Sequence, residues 1–180
     1  MKTIYFARHG QTVWNVENKI CGATDSPLTE KGREQARELA EEIREQGMVL
    51  ERILYSPLSR ARDTALIVSE VTGIPAREEP RLMEQNFGKW EGTARNGREF
   101  ALDKENFIHS FGTGESNLRT AQRIYNLLDE LARTPSEAPF LLVAHNGIAR
   151  MVNSYFFDME NEEFARFGIR NCQLVRYDFC

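Results

Sequence analysis

Two histidines in this chain each close an apolar run and lie just before a glycine. They are His9, in Arg8-His9-Gly10 after Lys2 to Ala7, and His145, in His145-Asn146-Gly147 after Phe140 to Ala144. A third apolar run, Ile53 to Tyr55, leads into Ser56-Pro57-Leu58-Ser59-Arg60, which sets an arginine in the first turn of an expected helix. The dipole and free amides of such a terminus favour an anion. Each feature alone has a plain structural reading: a charged turn with a solvated histidine, or a surface ion pair of Arg60 with, for instance, Asp63 one turn along. Together they gather Arg8, Arg60, His9 and His145 at strand ends in a chain of net charge -4, and a dianionic ligand accounts for that gathering. Arginine forks match phosphate oxygens bidentately, so two arginines and an imidazole donor can clamp a phosphoryl group. Phosphoryl transfer needs mainly positioning and charge stabilisation, which such a clamp provides.

Histidine is the candidate nucleophile, because the chain has no Walker-type glycine loop, no serine in a GxSxG turn and no cysteine in a phosphate loop. A free imidazole titrates at roughly 6.5, and flanking arginines disfavour the imidazolium, so His9 keeps a lone pair at neutral pH without an adjacent base. The acid can be any nearby carboxylate. Glu84 is one of 27 acidic residues, and residue chemistry alone does not choose it.

The elements that must position these groups alternate. Lys2 to Ala7 reads as a buried strand, and Thr29 N-caps a helix with Ala36, Leu39, Ala40 and Ile43 at helical spacing before Gly47. Ile53 to Tyr55 is a second strand. Ser56 as cap and Pro57 at the first helical position open a helix to about Thr72, followed by a short edge strand over Ala76 to Glu79. Arg81 to Gly114 is irregular and rich in glycine and aromatic residues, suited equally to a lid over a pocket and to a small satellite core. Ser116 caps a helix with one face marked by Leu118, Ala121, Tyr125, Leu128 and Leu131. Phe140 to Ala144 is the clearest buried strand, Ile148 to Phe156 a helix, and Gln173 to Phe179 a final strand, antiparallel at an edge. The order predicts an α/β fold, a three-layer α/β/α sandwich with a mostly parallel sheet, in a single domain over residues 1–180. Ligands bind beyond the carboxyl ends of the strands in such sheets, and if the strands before His9 and His145 are neighbours both imidazoles reach one crevice.

Composition fits that class. The chain has 180 residues, 41% hydrophobic and 28% charged, enough for one core without staples. Cys21, Cys172 and Cys180 show no CxxC spacing, which argues against a disulfide framework or zinc site and suits the reducing cytoplasm. The N-terminus lacks the pattern of a signal peptide and no stretch is long enough to span a bilayer. No run of Lys and Arg marks a nucleic-acid binder. The expected partner is a small phosphorylated substrate, with no nucleic acid, no membrane, no cofactor and no metal; oligomeric state is not read from the sequence.

Several motifs in one order resemble the histidine phosphatase superfamily, the phosphoglycerate mutase-like enzymes. They are Arg8-His9-Gly10-Gln11-Thr12 with Asn15, Asp25 through Gly32, Ser56 through Arg60-Ala61 to Thr64-Ala65, Glu84 with Phe87-Gly88 and Trp90-Glu91-Gly92, Gly114-Glu115-Ser116, and Val143 to Gly147. The resemblance implies a phosphoglycerate mutase-like fold and a phosphohistidine on His9. It implies Glu84 as proton donor, and a phosphate-binding set of Arg8, Asn15, Arg60, His145 and Asn146. Because two arginines favour a carboxylate, Glu84 is expected to be ionised until a phosphate dianion sustains its proton. Asp63 and Asn146 depart from the residues common in the family, glutamine and glycine respectively, which bears on the pocket rim.

The implied activity is metal-independent hydrolysis of a small phosphorylated metabolite, a histidine acid-type phosphatase, with residues 85–114 as lid or specificity region. The short span from Glu84 to His145 favours it over the first alternative, a cofactor-dependent phosphoglycerate mutase. The second alternative is a catalytically silent phospho-ligand binding module. Lys89, Arg95, Arg98 and Lys104 fit a solvated charged face or recognition of a second anionic group, and His109 is left outside the site.

Overall fold

The computed structural model describes residues 2–179, so the part of the cysteine reading that concerns Cys180 lies outside it. Five strands, β1 (Thr3–Arg8), β2 (Arg52–Tyr55), β3 (Ala76–Glu78), β4 (Phe140–Ala144) and β5 (Leu174–Asp178), form one sheet in the order β3-β2-β4-β1-β5. All neighbours run parallel except β5, which pairs antiparallel with β1 at the edge. Among the described residues seven helices accompany them: α1 (Val13–Val16), α2 (Glu30–Glu45), α3 (Ser59–Thr72), α4 (Arg98–Asp103), α5 (Asn117–Arg133), α6 (Asn146–Phe156) and α7 (Asn161–Arg166).

β4 is apolar at every position because it is covered on both faces. Phe140, Leu142 and Ala144 pack with Ile4 and Phe6 of β1 against Ile124, Leu127, Leu128 and Leu131 of α5 and Ile148, Met151 and Val152 of α6. Leu141 and Val143 turn the other way, onto Ala36, Leu39, Ala40 and Ile43 of α2 and Ala61, Ala65 and Val68 of α3. Side chains that alternate between two helix layers leave no polar face, which is how a central parallel strand differs from a half-exposed one. The result is the expected three-layer α/β/α sandwich.

α2 begins where Thr29 Oγ1 accepts the Gly32 N–H at 3.1 Å. Its first turn lies directly on the loop after β1. A Cβ on Gly10 would overlap the Gly32 carbonyl, and one on Gly32 would overlap the Gln11 carbonyl, so backbone packs on backbone beside His9.

Three readings are corrected. α3 starts at Ser59 with Leu58 as its cap residue, two positions after the expected start; Ser56 Oγ lies 2.6 Å from His145 Nε2 and accepts the Leu58 N–H only at a long 3.4 Å. Asp25, distant in sequence, takes the Ser59 N–H at 2.8 Å in its place. The buried face of α5 is Asn117, Thr120, Ile124, Leu127, Leu128 and Leu131, and Leu118 is exposed. Arg81 to Gly114 is more regular than expected, holding α4 and two 3-10 turns at Pro80–Leu82 and Gly88–Trp90. Its Phe87, Phe100 and Phe111 bury against Ile20, with Trp90 alongside, as a small separate core.

Candidate active site

β1 and β4 end in step. Arg8 pairs with Ala144, and the His9 N–H then donates to the Ala144 carbonyl at 2.9 Å, so His9 and His145 emerge side by side with ring centroids 5.2 Å apart. This is the shared crevice that neighbouring strands were expected to form.

His9 is buried, and its Nδ1 lies 2.7 Å from the Gly10 carbonyl. A carbonyl only accepts, so Nδ1 carries the proton and Nε2 holds the lone pair. Burial first, then Arg60 and Arg8, holds the imidazole well below its ordinary range. Arg8 is nearly buried, donates from Nη1 to the Ile169 carbonyl at 2.9 Å, and has a buried Nε with no partner among the described residues. Burial, with Arg95 next, lowers its guanidinium to about 10, still charged at neutral pH.

Arg60 is 1% exposed and is no surface pair; Asp63 binds Arg62 at 3.0 Å instead. Its Nη2 donates to the Gly22 carbonyl at 2.6 Å, its Nη1 to the Thr24 carbonyl at 2.9 Å and to Asp25 Oδ1 at 3.3 Å, and its Nε to His145 Nδ1 at 3.2 Å. That last bond fixes the tautomer of His145. With Nδ1 accepting, Nε2–H donates to Ser56 Oγ at 2.6 Å, and burial followed by Arg60 keeps the ring neutral. A phosphoryl oxygen must compete with Ser56 for that proton.

Glu84 is buried where it meets α6. Its Oε1 accepts the Gln85 N–H at 2.8 Å and its Oε2 the Gly147 N–H at 2.9 Å. A Cβ on Gly147 would overlap Oε1 and lie 3.1 Å from Cδ, so only glycine lets the carboxyl seat there. The pull of the arginines toward the ionised form of Glu84 is opposed by burial. Desolvation is the largest cause and outweighs the two amides, Arg60 and Arg150, so the carboxyl is pushed above its ordinary range.

Asn15 and Asn146 are partly committed elsewhere. Asn15 Oδ1 accepts the Thr12 N–H at 3.1 Å and Asn171 Nδ2 at 3.3 Å, leaving its Nδ2 as donor. Asn146 Oδ1 accepts the Ile169 N–H at 2.9 Å, so its side chain braces the loop before β5. His109 lies outside, half-exposed near Asp103 at 3.9 Å. Lys89 pairs with Asp103 at 3.0 Å, whereas Arg95 and Lys104 line a cavity beside Glu84. Among the described residues, no group of three or more His, Cys, Asp or Glu side chains is placed to hold a metal ion, and no helix is long and apolar enough to cross a membrane.

Three supporting groups escaped the sequence reading. Glu91 accepts the N–H groups of Gly22, Ala23, Thr24 and Phe87, and so holds the loop whose carbonyls grip Arg60. Its place in Trp90-Glu91-Gly92 was the available signal. Asn171 Nδ2 donates to the His9 carbonyl at 2.8 Å, and nothing local in the sequence announces it. Arg150 is buried in α6, and an arginine inside Ile148-Ala149-Arg150-Met151-Val152 was the visible anomaly.

Comparison with known proteins agrees with this arrangement. The model of the histidine phosphatase superfamily (branch 1) matches residues 4–180. A probable phosphoglycerate mutase, GpmB, of Yersinia pestis (strain Pestoides F) is 32% identical over 99% of this chain and 86% of its own length. A mycobacterial glucosyl-3-phosphoglycerate phosphatase solved with VO3 superposes with a TM-score of 0.86 at 29% identity, covering 98% of this chain and 90% of that one. A mutant phosphoserine phosphatase from Entamoeba histolytica in complex with phosphoserine gives 0.84 at 26%, covering 100% and 92%.

Proposed function

This chain belongs to the histidine phosphatase superfamily, and from that premise we propose that it is a phosphomonoester hydrolase working through a phosphohistidine on His9, without a metal, on a small phosphorylated metabolite. The observation that carries the reading is the bond from His9 Nδ1–H to the Gly10 carbonyl, which leaves Nε2 unprotonated in a buried site with two arginines.

Nε2 attacks phosphorus, and the bond from phosphorus to the leaving oxygen breaks as Glu84 delivers its proton to that oxygen. Arg8, Arg60 and the donor groups of Asn15 and His145 take the charge on the non-bridging oxygens, with the N-terminus of α6 at Asn146 adding to the field. Glu84, now a carboxylate, removes a proton from water, whose oxygen attacks phosphorus and breaks the bond to Nε2. Phosphate leaves, and Glu84 again holds its proton. The raised affinity of Glu84 for a proton supports its role as acid. Residues 85–114 act as the specificity segment, supported by Phe87, Arg95, Phe100 and Lys104 lining the cavity beside Glu84. The free thiols of Cys21 and Cys172 suit a reducing compartment, the cytoplasm.

The test is phosphate release from an aryl phosphate and a panel of small phosphomonoesters in the presence of chelator, wild type against His9→Ala. Turnover in the wild type that vanishes in the variant, with an acid-labile phosphoenzyme trapped from the wild type, is expected; turnover retained by His9→Ala overturns the reading. A mutase is the second reading, favoured by the name of the Yersinia relatives, and 3-phosphoglycerate isomerisation outpacing hydrolysis would select it.

A further inference from the structure

We infer that Asn171, in the loop between α7 and β5, is a positioning residue for phosphoryl transfer: its one side-chain amide ties the backbone of His9 to the side chain of Asn15, and so sets Asn15 Nδ2 as a phosphoryl donor in fixed relation to the nucleophile. The inference rests on the reading of His9 as the nucleophile and goes beyond it in naming what orders the donor.

The loop that carries Asn171 is bonded to the phosphate site at several points. The Ile169 carbonyl accepts Arg8 Nη1, the Ile169 N–H donates to Asn146 Oδ1 and the Cys172 N–H donates to the Arg8 carbonyl, each at 2.9 Å. Between them the chain turns back, with the Gln173 N–H donating to the Arg170 carbonyl at 3.2 Å and the Arg170 N–H to Gln173 Oε1 at 3.0 Å. Cys172 takes the left-handed region at φ 54°, where residues with a side chain are uncommon. A buried cysteine in that conformation is held by its surroundings, and the turn it makes is the one that presents Asn171.

The donors and acceptors leave one arrangement of both amides. A carbonyl only accepts, so the Asn171 atom 2.8 Å from the His9 carbonyl is its NH2. The same NH2 lies 3.3 Å from Asn15, and the Asn15 atom facing it is the oxygen, because that atom also takes the Thr12 N–H at 3.1 Å. Turning the Asn15 amide over would set its NH2 against two donors at once. Asn15 Nδ2 is therefore held outward from both contacts, with no acceptor among the described residues, and meets a phosphoryl oxygen without breaking a bond. Thr12 favours the same orientation but belongs to the loop of Asn15 itself. Asn171 supplies what Thr12 does not, a link from that loop to the strand end of His9, 162 positions away.

The experiment measures aryl phosphate hydrolysis, and the binding of inorganic phosphate by calorimetry, for wild type, Asn15→Ala, Asn171→Ala and the double variant. Asn171→Ala is expected to weaken phosphate binding and to lower kcat/KM by about tenfold, the loss of roughly one hydrogen bond. In the Asn15→Ala background the same change should weaken phosphate binding by less than about threefold, since the donor it orders is gone. Asn171→Asp keeps the shape but turns an acceptor toward the His9 carbonyl and Asn15 Oδ1, and should cost about a hundredfold in kcat/KM. If Asn171→Ala does not fold, Asn171→Asp with and without Asn15→Ala carries the cycle. A residue that only supports the fold would give additive losses of phosphate affinity. Additive losses, or wild-type activity in folded Asn171→Asp, overturn the inference, while turnover that still depends on His9 leaves the phosphohistidine reading intact. Turnover retained by His9→Ala removes that reading, and the inference with it.

Discussion

Glu91→Gln isolates the link between a carboxylate far from the phosphate position and the placement of Arg60. Oε1 of Glu91 accepts N–H groups from Ala23 at 3.1 Å and Phe87 at 2.9 Å, and Oε2 accepts from Gly22 at 3.1 Å and Thr24 at 3.3 Å. Glutamine keeps one oxygen and turns an NH2 toward the other two amides, so two bonds are lost and donor meets donor. At about 1 kcal/mol for each bond at this half-exposed site, the variant loses about 2 kcal/mol. For a chain of this size that lowers Tm by about 4–8 °C. The same loop offers the Gly22 and Thr24 carbonyls to Arg60 at 2.6 and 2.9 Å, and a shift of about 1 Å in a positioning group costs on the order of a hundredfold in rate. Thermal unfolding and steady-state hydrolysis of an aryl phosphate are therefore measured together, with exposed Glu45→Gln as the comparison expected to stay within about 0.5 kcal/mol of wild type. A ten- to hundredfold fall in kcat/KM, concentrated in kcat, is the expected result. A Glu91→Gln variant that melts with the wild type and keeps its kcat/KM refutes the chain of contacts. A lower Tm with intact kcat/KM leaves the loop as structure only and breaks its connection to Arg60.

Gly147→Ala should lower kcat by about a hundredfold with a modest loss of Tm, because the new methyl must displace the Glu84 carboxyl and its amide bond; steady-state kinetics beside a melting curve checks it, and full activity would show that Glu84 need not seat there. The buried histidines set an acid limit. The folded pKa values of His9 and His145 lie below that of the unfolded chain, so their contribution to stability is complete above about pH 6.5 and is lost as the pH falls through that value toward the folded pKa values. The slope approaches about 1.4 kcal/mol per pH unit for each histidine, and His9→Ala should show a shallower fall of Tm between pH 7 and 5 than the wild type; equal slopes would mean that His9 protonates freely in the fold. Glu84 acts with the opposite sign: its raised carboxyl stabilises below the ordinary range and loses that contribution as the pH rises, so Glu84→Gln should gain stability relative to wild type between pH 5 and 7 in the same melting series.

The sequence by itself determined the sandwich and the two strand-end histidines. Phe140 to Ala144 has no polar face to give to water, so it is central, and Thr29 and Ser116 both cap where their residue type predicts because those contacts span three residues. The order of the motifs determined the family in the same way. What only the tertiary structure decided are contacts between residues far apart in the chain. Ser56 next to Pro57 reads as a helix cap by every local rule, yet its hydroxyl makes its short contact with His145, 89 positions away, and only a long one with the Leu58 N–H, while Asp25 takes the Ser59 N–H of the helix. The upward push on the Glu84 carboxyl has a related reason: counting nearby arginines gives only their attraction for the carboxylate, but desolvation depends on how closely Gly147 lets the carboxyl bury, which no local spacing reveals. Asn171, whose amide spans to the His9 carbonyl, is legible only once β5 folds back beside β1 and brings the loop before it against the site.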